Sequence, residues 1–147
     1  MKPSLREGLT FRFRQEIGTR HTVPCLLPES PEFQLMPSVL ATGYMVALVE
    51  WACILALKPH LDWPVEQSLG VGLDLSHSAA TPPGLTVEIG VRLERMQGRR
   101  LTFAIEAHDG RDEICRGSHH RFVVERERFC AGVEEKARQA LADQAPR

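Results

Sequence analysis

Hydrophobic and polar residues alternate along most of this chain, with the two-residue period of half-buried β-strands. The alternation begins at Thr10–Gln15 and returns over residues 68–77, 85–96, 99–108 and 114–125. Turns are predicted between the later segments at TPPG (81–84), at Gln97-Gly98 and at Asp109-Gly110. The second half of the chain is therefore predicted to form an antiparallel sheet.

The same alternation predicts which side chains face the core. In the segment 68–77 the inward positions are expected to be Leu69, Val71, Leu73, Leu75 and His77. In the two segments that follow they are Leu85, Val87, Ile89, Val91 and Leu93, then Leu101, Phe103, Ile105 and Ala107. His77 thus continues an apolar face, although its side chain titrates near neutral pH.

One stretch breaks the alternation, because ATGYMVALVEWACILAL (41–57) is apolar almost throughout. Such a segment is typical of a helix buried on all sides, with Pro37-Ser38 predicting its start and Pro59 its end. Residues 39–57 are about long enough to cross a bilayer. Glu50 near the middle, and later strands that need something to pack on, favour a core helix over a membrane span.

One long helix and five antiparallel strands predict an α+β protein in which a curved sheet wraps the helix, a hotdog-like layout. The length of 147 residues suits a single domain over 1–147. Residues 133–142 are compatible with a polar tail helix or with a frayed end, so the tail from about residue 130 is expected to be loosely ordered.

Charge and cysteine content exclude several classes of protein. The 18 basic and 19 acidic residues give a net charge of −1, without the basic excess typical of nucleic-acid binding. Cys25, Cys53, Cys115 and Cys130 form no CxxC pair, so neither a zinc site nor a disulfide framework is indicated. The N-terminus has no long apolar segment, and a cytoplasmic protein without nucleic-acid or membrane partners is expected.

Most familiar catalytic motifs are absent: the sequence has no GxSxG, P-loop, GxGxxG or HExxH motif. His119 and His120 are adjacent on a predicted strand, so they would point to opposite faces and could not share a metal ion. They are interpreted as ordinary surface or core histidines. Cys25 has no basic neighbour to activate it. No metal or cofactor is expected.

Glu50 and His77 remain as candidates, because each is a titratable residue on a surface that the pattern predicts to be covered. A buried charge without a partner is unfavourable, so such residues need a reason to be there. Thr42 alone would be ordinary, since a helical threonine commonly bonds back to a carbonyl. The three together favour a chemical role.

Several longer blocks resemble the fluoroacetyl-CoA thioesterase family. They include PESPEF, ATGYMVALVEWAC, SLGVGLDLSHSAATPPGLTVEI, GRRLTFAIEAHDG, DEI and HHRFVV, and together span roughly residues 20–129. The resemblance implies a hotdog fold, a homodimer and an acyl-CoA substrate. It also implies that the family's catalytic Thr, Glu and His fall on Thr42, Glu50 and His77.

The resemblance further implies four substrate-binding residues. Gly70 would offer its backbone N–H to the thioester oxygen, and Arg121 matches a family arginine. The Pro-rich stretch at 23–38 is a candidate lid, in which Phe33 matches the family but Met36 stands where the family has a second phenylalanine. Methionine is the more flexible side chain, so this cover is expected to be less selective or to fit a different small acyl group.

Thioester hydrolysis needs a group that attacks or activates water, a proton carrier and donors for the oxyanion. Glu50 is expected to be nucleophile or general base, His77 general acid/base, and Thr42 a hydroxyl donor. On one straight helix, Thr42 and Glu50 would lie about 12 Å apart. Either the chain around Thr42 is not regular helix, or the site is completed across a dimer interface, and we favour the second. Replacing Glu50 by Gln is expected to stabilise the fold, because a buried carboxylate is costly to desolvate.

Two other functions stay open at this level. A hotdog hydratase or dehydratase would act on an acyl-CoA without releasing thiol. A non-catalytic acyl-CoA-binding protein would keep its fold and ligand affinity on replacement of Glu50 and His77.

Arginines suit the phosphates of CoA. Alternating arginines are nevertheless more typical of solvated strand faces, and this applies to Arg92, Arg95, Arg99, Arg100 and Arg121.

Overall fold

The computed structural model describes residues 1–143, and its main feature is a five-stranded antiparallel sheet. The strands are β1 (Thr10–Glu16), β2 (Glu66–Leu75), β3 (Thr86–Gln97), β4 (Arg100–His108) and β5 (Glu113–Glu125). Their order is β1-β3-β4-β5-β2, so β1 and β2 are the edge strands. All five predicted strands are confirmed. In β3 and β4 the side chains predicted to face inward are buried; these are Val87, Ile89, Val91 and Leu93, and Leu101, Phe103, Ile105 and Ala107.

Four helices complete the described part of the chain. They are α1 (Val23–Leu26), α2 (Pro31–Gln34), α3 (Thr42–Leu57) and α4 (Arg126–Asp143), with 3₁₀ turns at Thr19–His21 and Lys58–His60. The sheet curls around α3, which contacts β1, β2 and β3. This arrangement confirms the predicted α+β hotdog layout.

The start and the surroundings of α3 differ from the predictions. The helix begins at Thr42 and not at Pro37-Ser38, because the preceding backbone is extended: Leu40 N–H donates to the Thr81 carbonyl and Ala41 N–H to the His21 carbonyl. Only one side of the helix is in the core. Its inward residues include Met45, Val49, Ala52 and Cys53, whereas Ala47 and Trp51 on the other side are exposed.

By length and composition alone, Thr42–His60 could also cross a bilayer. Its inward side packs against the sheet.

The predicted inward face of β2 is wrong for its first half. A β-bulge shifts the register between Gly70 and Gly72. Before the bulge, Ser68 is buried while Leu69 pairs with exposed Phe122 on the outer face. After the bulge, Leu73 pairs with buried His119. The odd-numbered residues of β2 therefore lie on the inner face from this point, as predicted. A strict two-residue period cannot reveal a bulge, which inserts one extra residue.

The C-terminal helix is longer than expected. α4 begins at Arg126, directly after β5, and its residues up to 142 are exposed. The expectation of a loosely ordered tail from residue 130 is thus replaced by a continuous helix up to Asp143. Residues 144–147 lie outside the described residues.

Candidate active site

Thr42 and His77 contact each other at one end of α3. Thr42 is the first residue of that helix, and His77 follows the end of β2 by two residues. Thr42 Oγ1 and His77 Nδ1 lie 2.8 Å apart. Nε2 of His77 is buried and has no hydrogen-bond partner within residues 1–143. Burial lowers the pKa of His77 from its ordinary value, so a neutral imidazole is available near pH 7 to take up a proton.

Glu50 lies two turns further along α3, in a second group of side chains. We call Glu50, Ser68, Gly70, His119 and Arg121 the Glu50 cluster. Glu50 Oε1 lies 3.3 Å from Nη1 of Arg121, and the Glu50 side chain is 41% exposed in the single chain. The prediction of a covered Glu50 is therefore only partly met, because one side of the carboxylate is open.

Arg121 is only 1% exposed, so the interpretation of its strand position as a solvated face is wrong for this arginine. Two hydrogen bonds tie it to β2. Its Nε donates to Ser68 Oγ at 2.9 Å, and its Nη2 to the Ser68 carbonyl at 2.7 Å. Burial lowers the pKa of Arg121, yet a guanidinium remains charged in proteins. Because a buried charge needs a counter-ion, the Glu50 carboxylate is held where this cation requires it.

Gly70 lies directly against the Glu50 carboxylate. A β-carbon at this position would overlap Glu50 Oε1 and would stand 3.1 Å from Cε1 of His119. Only glycine leaves room for the carboxylate there. The β-bulge that follows leaves only Val71 without a partner residue in β5, and such bulges are common beside functional sites.

His119 belongs to the cluster, although the sequence interpretation set it aside as ordinary. It is buried, with Nδ1 3.1 Å from the Gly72 carbonyl and Nε2 2.9 Å from Arg121 Nη1. Burial and then the neighbouring Arg121 charge lower the pKa of His119. The signal that could have found it is spacing: on a strand, residue 119 shares a face with residue 121.

His120 faces the other side of β5, where its Nδ1 lies 3.1 Å from Thr102 Oγ1. The prediction that the adjacent histidines point to opposite faces is confirmed. Among residues 1–143, no group of three His, Cys, Asp or Glu side chains could hold a metal ion.

The candidate lid, residues 23–38, carries α1 and α2 in place of the expected irregular loop. Ser30 Oγ accepts the Phe33 N–H at 3.3 Å and caps α2. Phe33 is half-buried and Met36 is exposed. Leu26 of α1 packs so closely on Gly43 that a β-carbon there would stand 2.9 Å from it. The segment thus lies against the end of α3 that carries Thr42.

Thr42 and Glu50 remain apart within one chain. α3 is helical from Thr42 onwards, which places the two residues about 12 Å apart along its axis. The alternative of an irregular chain around Thr42 is therefore wrong. Completion of the site by a second copy of the chain stays a prediction.

Known proteins match this chain over most of its length. The model of the family described as fluoroacetyl-CoA-specific thioesterase matches residues 28–127. A fluoroacetyl-CoA thioesterase from Streptantibioticus cattleyicolor is 48% identical over 136 residues, which is 92% of this chain and 97% of the relative. The chain belongs to the fluoroacetyl-CoA-specific thioesterase family. The resemblance seen in the sequence blocks is thereby confirmed.

Solved structures agree with this assignment. The fluoroacetyl-CoA thioesterase FlK matches with a TM-score of 0.87 and 47% identity, covering 90% of this chain and 98% of that one. A variant of FlK in complex with fluoroacetate and CoA matches with a TM-score of 0.82 and 48% identity, covering 85% and 99%. A Thermus thermophilus thioesterase superfamily member, 23% identical, shares the fold with a TM-score of 0.83, covering 95% and 98%.

Proposed function

We propose that this family member hydrolyses short-chain acyl-CoA thioesters to a free acid and CoA, with fluoroacetyl-CoA as the first substrate to test. One observation carries the proposal: the Glu50 carboxylate is held against Gly70 by a buried arginine and is still open on one side. A thioester carbonyl placed on that open side would meet a carboxylate and the backbone of β2. An acyl-CoA substrate also suits the cytoplasmic location expected from the sequence.

Glu50 can act in either of two ways. As a nucleophile it would attack the carbonyl carbon, form a mixed anhydride and release the CoA thiolate, and water would then cleave the anhydride. As a general base it would take a proton from the water that attacks directly. In both routes the Gly70 N–H is the proposed donor to the oxyanion. Arg121 acts through Glu50, by fixing the carboxylate.

His77 is the proposed proton carrier, with Thr42 as its partner. The hydrogen bond between them fixes the imidazole ring, and the buried Nε2 is free to exchange a proton. In the nucleophilic route, a neutral imidazole can accept the proton of the water that cleaves the anhydride. In the general-base route, it can receive that proton from Glu50 and pass it to the departing thiolate. The Thr42 hydroxyl would alternatively orient the substrate.

The two groups are proposed to meet in a homodimer, in which Glu50 of one protomer faces Thr42 and His77 of the other. Two features support this assembly. β2 is an edge strand with unpaired backbone groups along one side. Its Val71 and Leu73 are 49% and 51% exposed, although Leu73 lies on the inner face of the sheet. A second copy would cover both.

Phe33 and Met36 are proposed to cover the acyl group, because their segment packs against the Thr42 end of α3. Met36 is unbranched and flexible, so the cover would adapt to acyl groups of slightly different size. We therefore expect several short acyl-CoAs to be hydrolysed, with a smaller preference for fluoroacetyl-CoA than a rigid aromatic cover would give.

Turnover of a panel of acyl-CoAs tests the proposal. Fluoroacetyl-, acetyl-, propionyl-, butyryl- and octanoyl-CoA would be incubated with the protein, and released thiol would be measured with a thiol-reactive chromophore. We expect thiol release from the two-carbon to four-carbon substrates well above the octanoyl rate, and a rate at least about 100-fold lower with Glu50→Gln prepared in parallel. Absence of thiol release from all five substrates would contradict it.

A further inference from the structure

His119 joins the bulged strand to the cation that holds Glu50. On one side its Nδ1 lies 3.1 Å from the Gly72 carbonyl, just after the bulge. On the other side its Nε2 lies 2.9 Å from Arg121 Nη1, the same nitrogen that lies 3.3 Å from Glu50 Oε1. Neither the sequence motifs nor the proposed chemistry assigns this residue a role.

The two neighbours fix the tautomer of the ring. A guanidinium nitrogen can only donate, so Nε2 must offer its lone pair to Arg121. A backbone carbonyl can only accept, so Nδ1 must carry the proton and donate it to Gly72. Glu50 Oε1 lies 3.7 Å from Nε2, too far for a hydrogen bond. His119 is therefore neutral and in the Nδ1–H form.

We propose that His119 is a positioning residue for the thioesterase reaction: it accepts one N–H of Arg121 Nη1, which leaves the other for Glu50, and it ties that pair to the β2 bulge beside Gly70. The inference rests on the proposed function, since it concerns the same carboxylate. Nη1 has two N–H groups and two acceptors, His119 Nε2 at 2.9 Å and Glu50 Oε1 at 3.3 Å. Loss of the Nε2 acceptor would leave one buried N–H unpaired, and the Glu50 carboxylate could shift to accept it.

Protonation of the ring would disrupt this arrangement. The charged groups that face His119 are Glu50 on α3 and Arg121 on its own strand, and adjacent His120 is the other titratable neighbour. β2 and β4 contribute Gly72 and Phe103, which do not titrate. A proton on Nε2 would point at the guanidinium and remove its acceptor. Catalysis should therefore weaken in acid through His119 as well as through His77.

Two amide substitutions distinguish the contribution of His119 Nε2 from that of Nδ1. In His119→Gln the side-chain oxygen can reach the place of Nε2 and accept from Arg121, without a group that titrates. In His119→Asn the shorter amide can reach only the place of Nδ1, so Gly72 keeps a donor while Arg121 loses its acceptor. His120→Asn, one residue away on the outer face, is the matched control.

The expected result is a split between the two variants. His119→Asn should lower kcat about 10- to 100-fold with KM little changed, as for loss of a hydrogen bond to a charged group. His119→Gln should keep kcat within about fivefold and weaken the fall of kcat in acid, and His120→Asn should match the wild type. Equal kcat for the Asn and Gln variants, or an effect on KM alone, would overturn the proposal.

Ring ¹⁵N NMR of the wild-type protein provides a test that does not depend on turnover. The Nδ1–H tautomer of His119, neutral at pH 7, is expected. An Nε2–H tautomer or a charged ring at pH 7 would overturn the positioning role even in an active enzyme. Absence of thiol release with the expected tautomer would instead contradict the proposed function and leave the contact geometry confirmed.

Discussion

The hydroxyl of Thr42 lies 2.8 Å from Nδ1 of His77, and this contact joins the first turn of α3 to the chain just beyond β2. The ring is held by one nitrogen, and its other nitrogen is buried without a partner in the described chain. Such an arrangement suits a proton carrier better than a structural histidine, because buried polar atoms are otherwise almost always paired.

Replacement of His77 by Ala is expected to lower kcat by about 100-fold or more, the usual effect of losing a general acid/base. The fold should persist, since His77 lies outside the strands. His108→Ala, at an exposed position at the end of β4, serves as control. Near-normal kcat with His77→Ala would remove this residue from the site.

Gly70→Ala tests whether the Glu50 carboxylate must stand where it does. The added methyl group would overlap Glu50 Oε1, so the carboxylate has to move, and displacement of a reacting group by about 1 Å can lower kcat about 100-fold. Stability should fall by about 1–3 kcal/mol, because the methyl group would also stand 3.1 Å from Cε1 of buried His119.

Gly90→Ala is the matched control for this change. A β-carbon at Gly90 would also press on a glutamate, at 3.1 Å from Glu106 Oε1. Glu106 is 44% exposed, much as Glu50 is, but it lies away from α3. Equal kcat for the Gly70 and Gly90 variants would contradict the proposed position of the carboxylate.

Much of the fold could be predicted from the sequence, and two of the exceptions share one cause. The strands and α3 can be predicted from local periodicity, which depends only on the residues within each segment. The bulge after Gly70 and the start of α3 at Thr42 depend on partners far along the chain, such as Arg121 and Thr81. Local patterns contain no information about those partners.

The site divides in the same way. Glu50 and His77 were found because a titratable residue on an apolar face needs a reason. The role of His119 cannot be predicted from the sequence, because it depends on a side-chain contact with Arg121. It also depends on β2, whose inner face cannot be assigned correctly without knowledge of the bulge. The distance between Thr42 and Glu50 followed from helix geometry alone.

The stability of the fold should depend on pH through its buried histidines. Burial lowers the pKa of His21, His77 and His119 below the ordinary 6.5. The unfolded chain then binds protons more readily, so stability is fully present above about pH 6.5 and is lost as pH falls through the lower folded-state values. Urea midpoints should be lower at about pH 5.5 than at about pH 7.5. A higher urea midpoint at the acidic pH would contradict this prediction.

Leu73→Glu tests the proposed homodimer. Leu73 is half-exposed in the single chain, so a charge there should leave the monomer folded while disrupting a β2 edge interface. Light scattering should give a dimer for the wild type and a monomer for the variant, with loss of thiol release in the monomer. A fully active wild-type monomer would rule out a shared site.

Glu50→Gln tests whether the Glu50 carboxylate takes part in the reaction, because it keeps the shape of the side chain and removes its charge. The amide can neither attack a thioester nor activate water, so kcat should fall by about 10²–10⁴-fold. The structure reverses the expected change in stability: Arg121 is buried and would lose its counter-ion, so unfolding free energy should drop by about 1–3 kcal/mol.

The measurement is kcat for thiol release from fluoroacetyl-CoA or the best substrate of the panel, for wild type, Glu50→Gln and the surface control Glu106→Gln. We expect a folded Glu50→Gln protein with kcat reduced at least about 100-fold and a control equal to wild type. A folded Glu50→Gln protein with wild-type kcat would contradict it.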